Sequence, residues 1–173
     1  MNTIEKIFWK VLYYKKPVKY AQKKGVILGT GNSFVDHPCF ASEPYLVRFG
    51  NNNRVSFGVS FVTHDGGRWV LDNLYPDDKP FIKYGSIKIG NNNFIGANSI
   101  INPGVTIGDN CVIAAGSIVT KDIPSGEIWG GVPAHYIMKI EEYRDKLIGN
   151  KDRFDLQKLS KNKEIELTEK LKL

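Results

Sequence analysis

Aliphatic residues recur every six positions at Ile89, Ile95, Ile101, Ile107, Ile113 and Val119. A Gly or Ala follows four of these anchors directly, at Gly90, Gly96, Gly108 and Ala114. A second column lies two residues before successive anchors, at Asn93, Ser99, Val105, Cys111 and Ser117. A period of six matches neither an amphipathic helix nor an alternating strand. It matches a solenoid of short strands with a turn after each one. Each anchor then points into a narrow interior, so it must be apolar and branched. The small residue beside it leaves room for the turn. The expected fold is an all-β solenoid, with the rest of the chain added to it.

The 173 residues suffice for one domain with appendages. No apolar run reaches the roughly 20 residues of a transmembrane helix. The first sixteen residues lack the apolar core and cleavage site of a signal peptide. Of the two cysteines, Cys39 and Cys111, the second falls in the inward column, where a thiol acts as a small hydrophobe. No disulfide framework is expected, and a reducing cytoplasm is the expected compartment. The net charge of +6 has a location: residues 1–24 hold seven lysines against Glu5 alone, and the remainder is formally neutral. That placement argues against a nucleic-acid-binding body, which spreads its charge along a face or groove.

Three segments follow. Residues 1–24 form a basic amphipathic N-terminal helical segment, with a helix over 3–15 that carries Ile4, Ile7, Phe8, Val11 and Leu12 along one side and stops at Pro17. Two readings of it stand. The helix caps the open end of the solenoid, or its lysines draw it to anionic lipid as a peripheral contact with the inner membrane surface. Its apolar residues wrap more than one face, which favours the cap. Residues 25–138 form the solenoid, irregular at first, with Phe49, Val55 and Phe61 already in the six-residue period. Asn51, Asn52 and Asn53 suit a turn with left-handed backbone geometry, as do Asn91 and Asn92. The period breaks at His64-Asp65-Gly66-Gly67, and residues 65–86 form a loop. Long loops in otherwise regular folds usually carry binding groups. Residues 139–173 read as a charged tail with helices over 139–148 and 152–172, least ordered from 160 onward.

The motifs Ile107-Gly108-Asp109-Asn110, Ile118 to Pro124 and Gly131-Val132-Pro133-Ala134 resemble those of the hexapeptide-repeat acyltransferases. Asn102-Pro103-Gly104-Val105-Thr106-Ile107-Gly108 is similar to the branch containing maltose and galactoside acetyltransferases. Val62-Thr63-His64-Asp65-Gly66-Gly67 resembles the branch acting in capsule, lipopolysaccharide and other surface-glycan pathways. The resemblance covers residues 26–140. It implies a left-handed parallel β-helix, a homotrimer, acetyl-CoA as co-substrate without a metal, and O-acetylation of a sugar or glycan acceptor.

Acyl transfer from a thioester to a hydroxyl needs a base, oxyanion stabilisation and alignment. Histidine is a natural base near neutrality. Of His37, His64 and His135, only His64 lies where regular coil passes into the long loop, which is also where the family places its catalytic histidine. Asp65 is read either as a group that orients the imidazole or contacts the acceptor, or as a turn residue. Arg68 and Trp69 are acceptor candidates, since an aromatic face stacks on sugar C–H groups. The resemblance adds Asn53 near the acceptor. It also adds Ala97, Ala115, Thr120 and Lys121 along the coenzyme A groove. The family commonly has Arg at the positions of His135 and Met138, and Lys139 stands adjacent as the substitute cation for coenzyme A.

Four other functions compete with this one. They are N-acetylation of an amino-sugar nucleotide, streptogramin-type antibiotic acetylation, a zinc carbonic-anhydrase-like protein and a non-catalytic scaffold. The zinc reading needs three converging histidines. His37 is remote and His135 lies beyond the coils. A scaffold would not need the His64 loop.

Overall fold

The computed structural model describes residues 3–79, 81–150, 154 and 156–172, apart from the side chains of Leu156 and Lys158. Met1–Ile140 form one compact unit and Glu141–Leu173 a second. The first opens with helices α1 (Thr3–Lys15) and α2 (Pro17–Lys24). The chain then coils through β1 (Ile27–Leu28), β2 (Ser33–Phe34), β3 (Val47–Phe49), β4 (Arg54–Val55) and β5 (Ser60–Phe61). An excursion carrying α3 (Arg68–Leu74) interrupts it. Coiling resumes through β6 (Ile87–Ile89), β7 (Phe94–Ile95), β8 (Ile100–Ile101), β9 (Thr106–Ile107), β10 (Val112–Ile113) and β11 (Ile118–Val119). A hairpin, β12 (Glu127–Gly131) and β13 (Ala134–Lys139), closes the coil.

The strands stack into three faces, ordered β1-β3-β6-β9, β13-β12-β10-β7-β4-β2 and β11-β8-β5. Every pairing is parallel except β12 with β13. Register links Ile101 to Val119, eighteen residues on and thus three hexapeptides per coil, but Phe61 to Ile101. The excess spacing in that second link is the length of residues 65–86.

The anchor column is buried throughout, with no member more than 3% exposed. Burial of each such Ile or Val favours the folded chain by roughly 1.5–3 kcal/mol. Small residues after the anchors serve close packing of coils rather than backbone freedom. A Cβ on Gly90 would stand 2.3 Å from the Asp109 carboxylate, and one on Gly96 would stand 2.4 Å from the Ala115 nitrogen.

Left-handed geometry in the turns is shared between glycine, at Gly31, Gly58, Gly104 and Gly116, and asparagine. Asn52, Asn92, Asn98 and Asn110 all have φ between 55° and 59°. The triplets Asn51–Asn53 and Asn91–Asn93 divide three tasks. The first member accepts from the preceding coil, as in Thr30 N–H to Asn51 Oδ1 and Asn51 N–H to Asn91 Oδ1, both 2.8 Å. The second member takes the positive φ. The third lies inside, where Asn53 Oδ1 accepts from Asn93 N–H at 3.0 Å and Asn93 Oδ1 from Cys111 N–H at 2.7 Å. These bonds satisfy both inward amide oxygens, whereas Asn93 Nδ2 is buried without a hydrogen-bond partner among the described residues.

The coil ends are covered differently from expectation. Pro17 starts a second helix rather than simply ending the first, a role proline suits at the first helical position. It is α2 that packs on β2, with Ala21 wholly buried in the core. Helix α1 lies outside α2. Of its apolar positions Leu12 is buried, whereas Ile4, Ile7, Phe8 and Val11 are exposed. The cap is therefore α2, a correction to the reading that favoured α1. At the other end Glu127 is buried and locks the hairpin. It accepts from Trp129 Nε1 at 2.8 Å and Lys139 Nζ at 2.6 Å.

The second unit holds most of α4 (Ile140–Gly149) and α5 (Leu156–Leu171). Residues 160–171, expected to be least ordered, are helical within α5, with one non-helical residue at Asn162. The expected helix start at 152 lies outside the described residues, as do Met1 and Asn2.

Candidate active site

His64 stands at the neck of the excursion. Asp65 N–H donates to Lys83 O at 3.0 Å, Gly85 N–H donates to Thr63 O at 2.9 Å, and His64 pairs with Tyr84 in an antiparallel bridge. These contacts pin the backbone on both sides of the histidine. Tyr84 also meets the imidazole edge to face, with ring centroids 5.8 Å apart.

The sequence gives no sign of the partner that orients the ring. Glu43, twenty-one residues upstream, places Oε2 2.9 Å from His64 Nδ1 and 2.6 Å from the Thr63 hydroxyl. The Thr63 hydroxyl first, and His64 second, hold the Glu43 carboxyl below the usual carboxylate range. An ionised carboxylate can only accept, so Nδ1 carries the proton and Nε2 is left as the basic nitrogen. Nothing in the irregular segment around Glu43-Pro44 marks this role. The short 3-10 turn Pro44–Leu46 leads directly into β3, and the coil sets where the carboxylate lands.

His64 lines a cavity of about 510 Å³ with Val62, Asp65, Gly66, Lys83, Asn102, Pro103 and Thr120. Val62, Asn102 and Thr120 stack because each follows a strand of the third face, with Val62 N–H bonded to Ile101 O and Asn102 N–H to Val119 O. The cavity thus runs along one edge of that face, across three coils. Lys83 and Asn102 were not singled out by sequence, although Asn102-Pro103 belongs to a motif quoted above.

The other candidates divide. Asp65 joins His64 in the cavity, but its Oδ1 accepts from Gly67 N–H at 2.8 Å, so its carboxylate shapes the turn. Thr120 also joins it. Arg68 is tied to Asp72 at 2.9 Å and lines a smaller cavity of about 240 Å³ that shares Asp65 and Lys83 with the first. Trp69 is 78% exposed and lines neither cavity. Asn53 is an interior residue whose amide is consumed by Asn32, Gly90 and Asn93, and it leaves the acceptor set. Ala97 and Ala115 lie on the opposite edge of the third face, between β7 and β8 and between β10 and β11. The Ala97 carbonyl already accepts from Gly116 N–H at 2.7 Å. Lys121 is exposed, with Nζ 5.3 Å from the Trp129 ring centroid. Lys139 is engaged by Glu127 and serves the hairpin, so it is withdrawn as a coenzyme contact.

Neither cysteine lines the His64 cavity. Cys111 is buried, and burial pushes its thiol pKa up. Among the described residues, no group of three His, Cys, Asp or Glu side chains could hold a metal ion.

Comparison with known proteins agrees with this architecture. Residues 86–121 match the family described as hexapeptide repeat of succinyl-transferase. A Staphylococcus aureus protein named CapG is 46% identical over 151 residues, 86% of each chain. The galactoside O-acetyltransferase of Escherichia coli K12 is 38% identical over 132 residues, 66% of this chain and 64% of that one. The crystal structure of a maltose O-acetyltransferase from Clostridium difficile 630 superposes with a TM-score of 0.55 at 27% identity, covering 78% of this chain and 83% of that one. The coil is accordingly the left-handed β-helix expected from the sequence motifs.

Proposed function

Since this chain belongs to the hexapeptide-repeat acyltransferase family, we propose that it transfers an acetyl group from acetyl-CoA to a sugar hydroxyl in surface-glycan assembly. The observation that carries this reading is the His64–Glu43 pair at the mouth of a polar cavity. His64 Nε2 takes the proton of the acceptor hydroxyl as its oxygen attacks the thioester carbonyl. The tetrahedral intermediate collapses, the C–S bond breaks, and the imidazolium returns the proton to the departing thiolate. Glu43 holds the ring in the required tautomer and stabilises the transient imidazolium. Transfer is direct, within a ternary complex, because the cavity lining offers no cysteine for an acyl-enzyme.

Asp65, Lys83 and Asn102 are the acceptor-side groups in this reading, and Thr120 and Lys121 the coenzyme-side groups. Ala97 and Ala115 lie across the third face from His64, which supports a homotrimer in which a neighbouring subunit walls that face and makes one groove of its two edges. The galactoside and maltose acetyltransferase relatives support a carbohydrate acceptor.

The test is mass spectrometry of acetyl transfer from acetyl-CoA across sugar nucleotides, oligosaccharides and lipid-linked sugars. An alkali-labile acetyl ester on one acceptor class is expected. An alkali-stable amide would move the reading to N-acetylation, and transfer to none of these classes would overturn it.

A further inference from the structure

Helix α1 has two apolar sides, and folding uses one. Leu12 is buried, while Trp9 and Tyr13 turn inward, with ring centroids 5.8 Å and 5.2 Å from Tyr20 on α2. The other side presents Ile4, Ile7, Phe8, Val11 and Tyr14 to solvent at 48–78% exposure. Their spacing makes a continuous stripe along the helix. Lys6 and Lys10 flank that stripe one turn apart, Lys15 closes its C-terminal end, and all three are exposed. An apolar stripe bordered by lysines, in the segment that carries the chain's entire net positive charge, fits a surface apolar within and negative at its rim.

We propose that α1 docks the protein on an anionic membrane surface. The helix lies in the interfacial plane, with the stripe inserted and the flanking ammonium groups against lipid phosphates. At thirteen residues it extends about 20 Å, too short to span a hydrocarbon core of about 30 Å. Among the described residues no helix is long and apolar enough to cross a membrane. Docking through α1 leaves α2 as the rigid joint to the coil, because Ala21 is locked into the core.

The test is flotation of the full chain with vesicles of phosphatidylcholine alone or mixed with phosphatidylglycerol, at low and high salt. Ile7→Glu/Phe8→Glu and Lys6→Glu/Lys10→Glu variants are run beside it. Binding to the anionic vesicles is expected. It should weaken by at least about tenfold in neutral vesicles and in either variant, and should fall as salt screens the exposed charges. Sedimentation of the variants should show an unchanged assembly state. No flotation with anionic vesicles at low salt overturns the proposal, as does equal flotation with neutral ones. A change of assembly state in Ile7→Glu/Phe8→Glu also overturns it, because the stripe would then be covered by a second copy. Flotation is read without any acetyl transfer, so the result is independent of the proposed reaction.

Discussion

The coils after Ser86 and the stretch from Val35 to Ser86 obey the same stacking rules, yet they do different work. From Ile87 to Val119 every hexapeptide supplies a buried anchor, a buried inner residue and a turn, and with Asn102, Pro103 and the following Thr120 the regular part gives the His64 cavity a wall. In the earlier stretch two departures from the period, the segment before Val47 and the excursion after Phe61, supply Glu43 and His64. The regular part acts as a ruler. The irregular parts are held at fixed heights on it, and chemistry resides where the chain leaves the ruler and returns. A neck bonded on both sides of His64 lets the excursion vary without disturbing the coils.

The sharpest way to break that contrast is His64→Ala. The imidazole contacts the half-exposed Tyr84 ring and Glu43 at the neck and is no part of the coil's core, so the variant should fold and assemble normally while transfer falls by roughly 10²–10⁴-fold. Near-normal turnover in a folded variant would place the base elsewhere. The converse change is Ile107→Ala in the regular part. It empties a fully buried position and should destabilise by roughly 2–5 kcal/mol. Transfer per folded molecule should stay close to normal, as measured by denaturant melts beside single-temperature kinetics.

Glu43→Ala probes the joint between the two regions. It should lower kcat by about tenfold, less than loss of the base itself, with the acceptor KM little changed. Combined with His64→Ala it should add almost nothing, because a group acting only through the imidazole has nothing left to position. Additive losses, or a loss confined to KM, would show that Glu43 contacts the acceptor instead.

The fold was legible because a six-residue period constrains every turn it passes through. His64 was legible because it marks the break in that period, and Thr120 because it sits in a recognisable motif. Glu43 was not, since its role depends on two irregular segments meeting across coils, and no spacing encodes that meeting. Asn53 and Lys139 misled for a related reason. An asparagine or a lysine reads the same in sequence whether it faces a ligand or a buried partner. Only the stacked coil shows that Asn53 faces Asn93 and Lys139 faces Glu127. Trp69 suggested a stacking surface because it is a tryptophan on a loop; α3 turns it to solvent, outside the two cavities beside the excursion.

The smallest effect concerns the hairpin at the end of the ruler. The Lys139 ammonium first, and the Trp129 indole N–H second, hold the Glu127 carboxyl below the usual carboxylate range. A carboxyl with a lower pKa folded than unfolded stabilises the protein above its unfolded value of about 4.3. That contribution disappears as pH falls through the folded value. Wild-type Tm should therefore drop on acidification by more than that of Glu127→Gln, which keeps only the contribution of Glu43, of the same sign. The variant should melt a few degrees lower near neutrality, and the two curves should converge at acid pH. Parallel curves would mean that the Glu127 pairing contributes nothing to the fold. Lys139→Met should lower Tm in the same way and leave the KM for acetyl-CoA unchanged. A rise in that KM without a change in Tm would restore Lys139 to the coenzyme site and remove it from the hairpin lock.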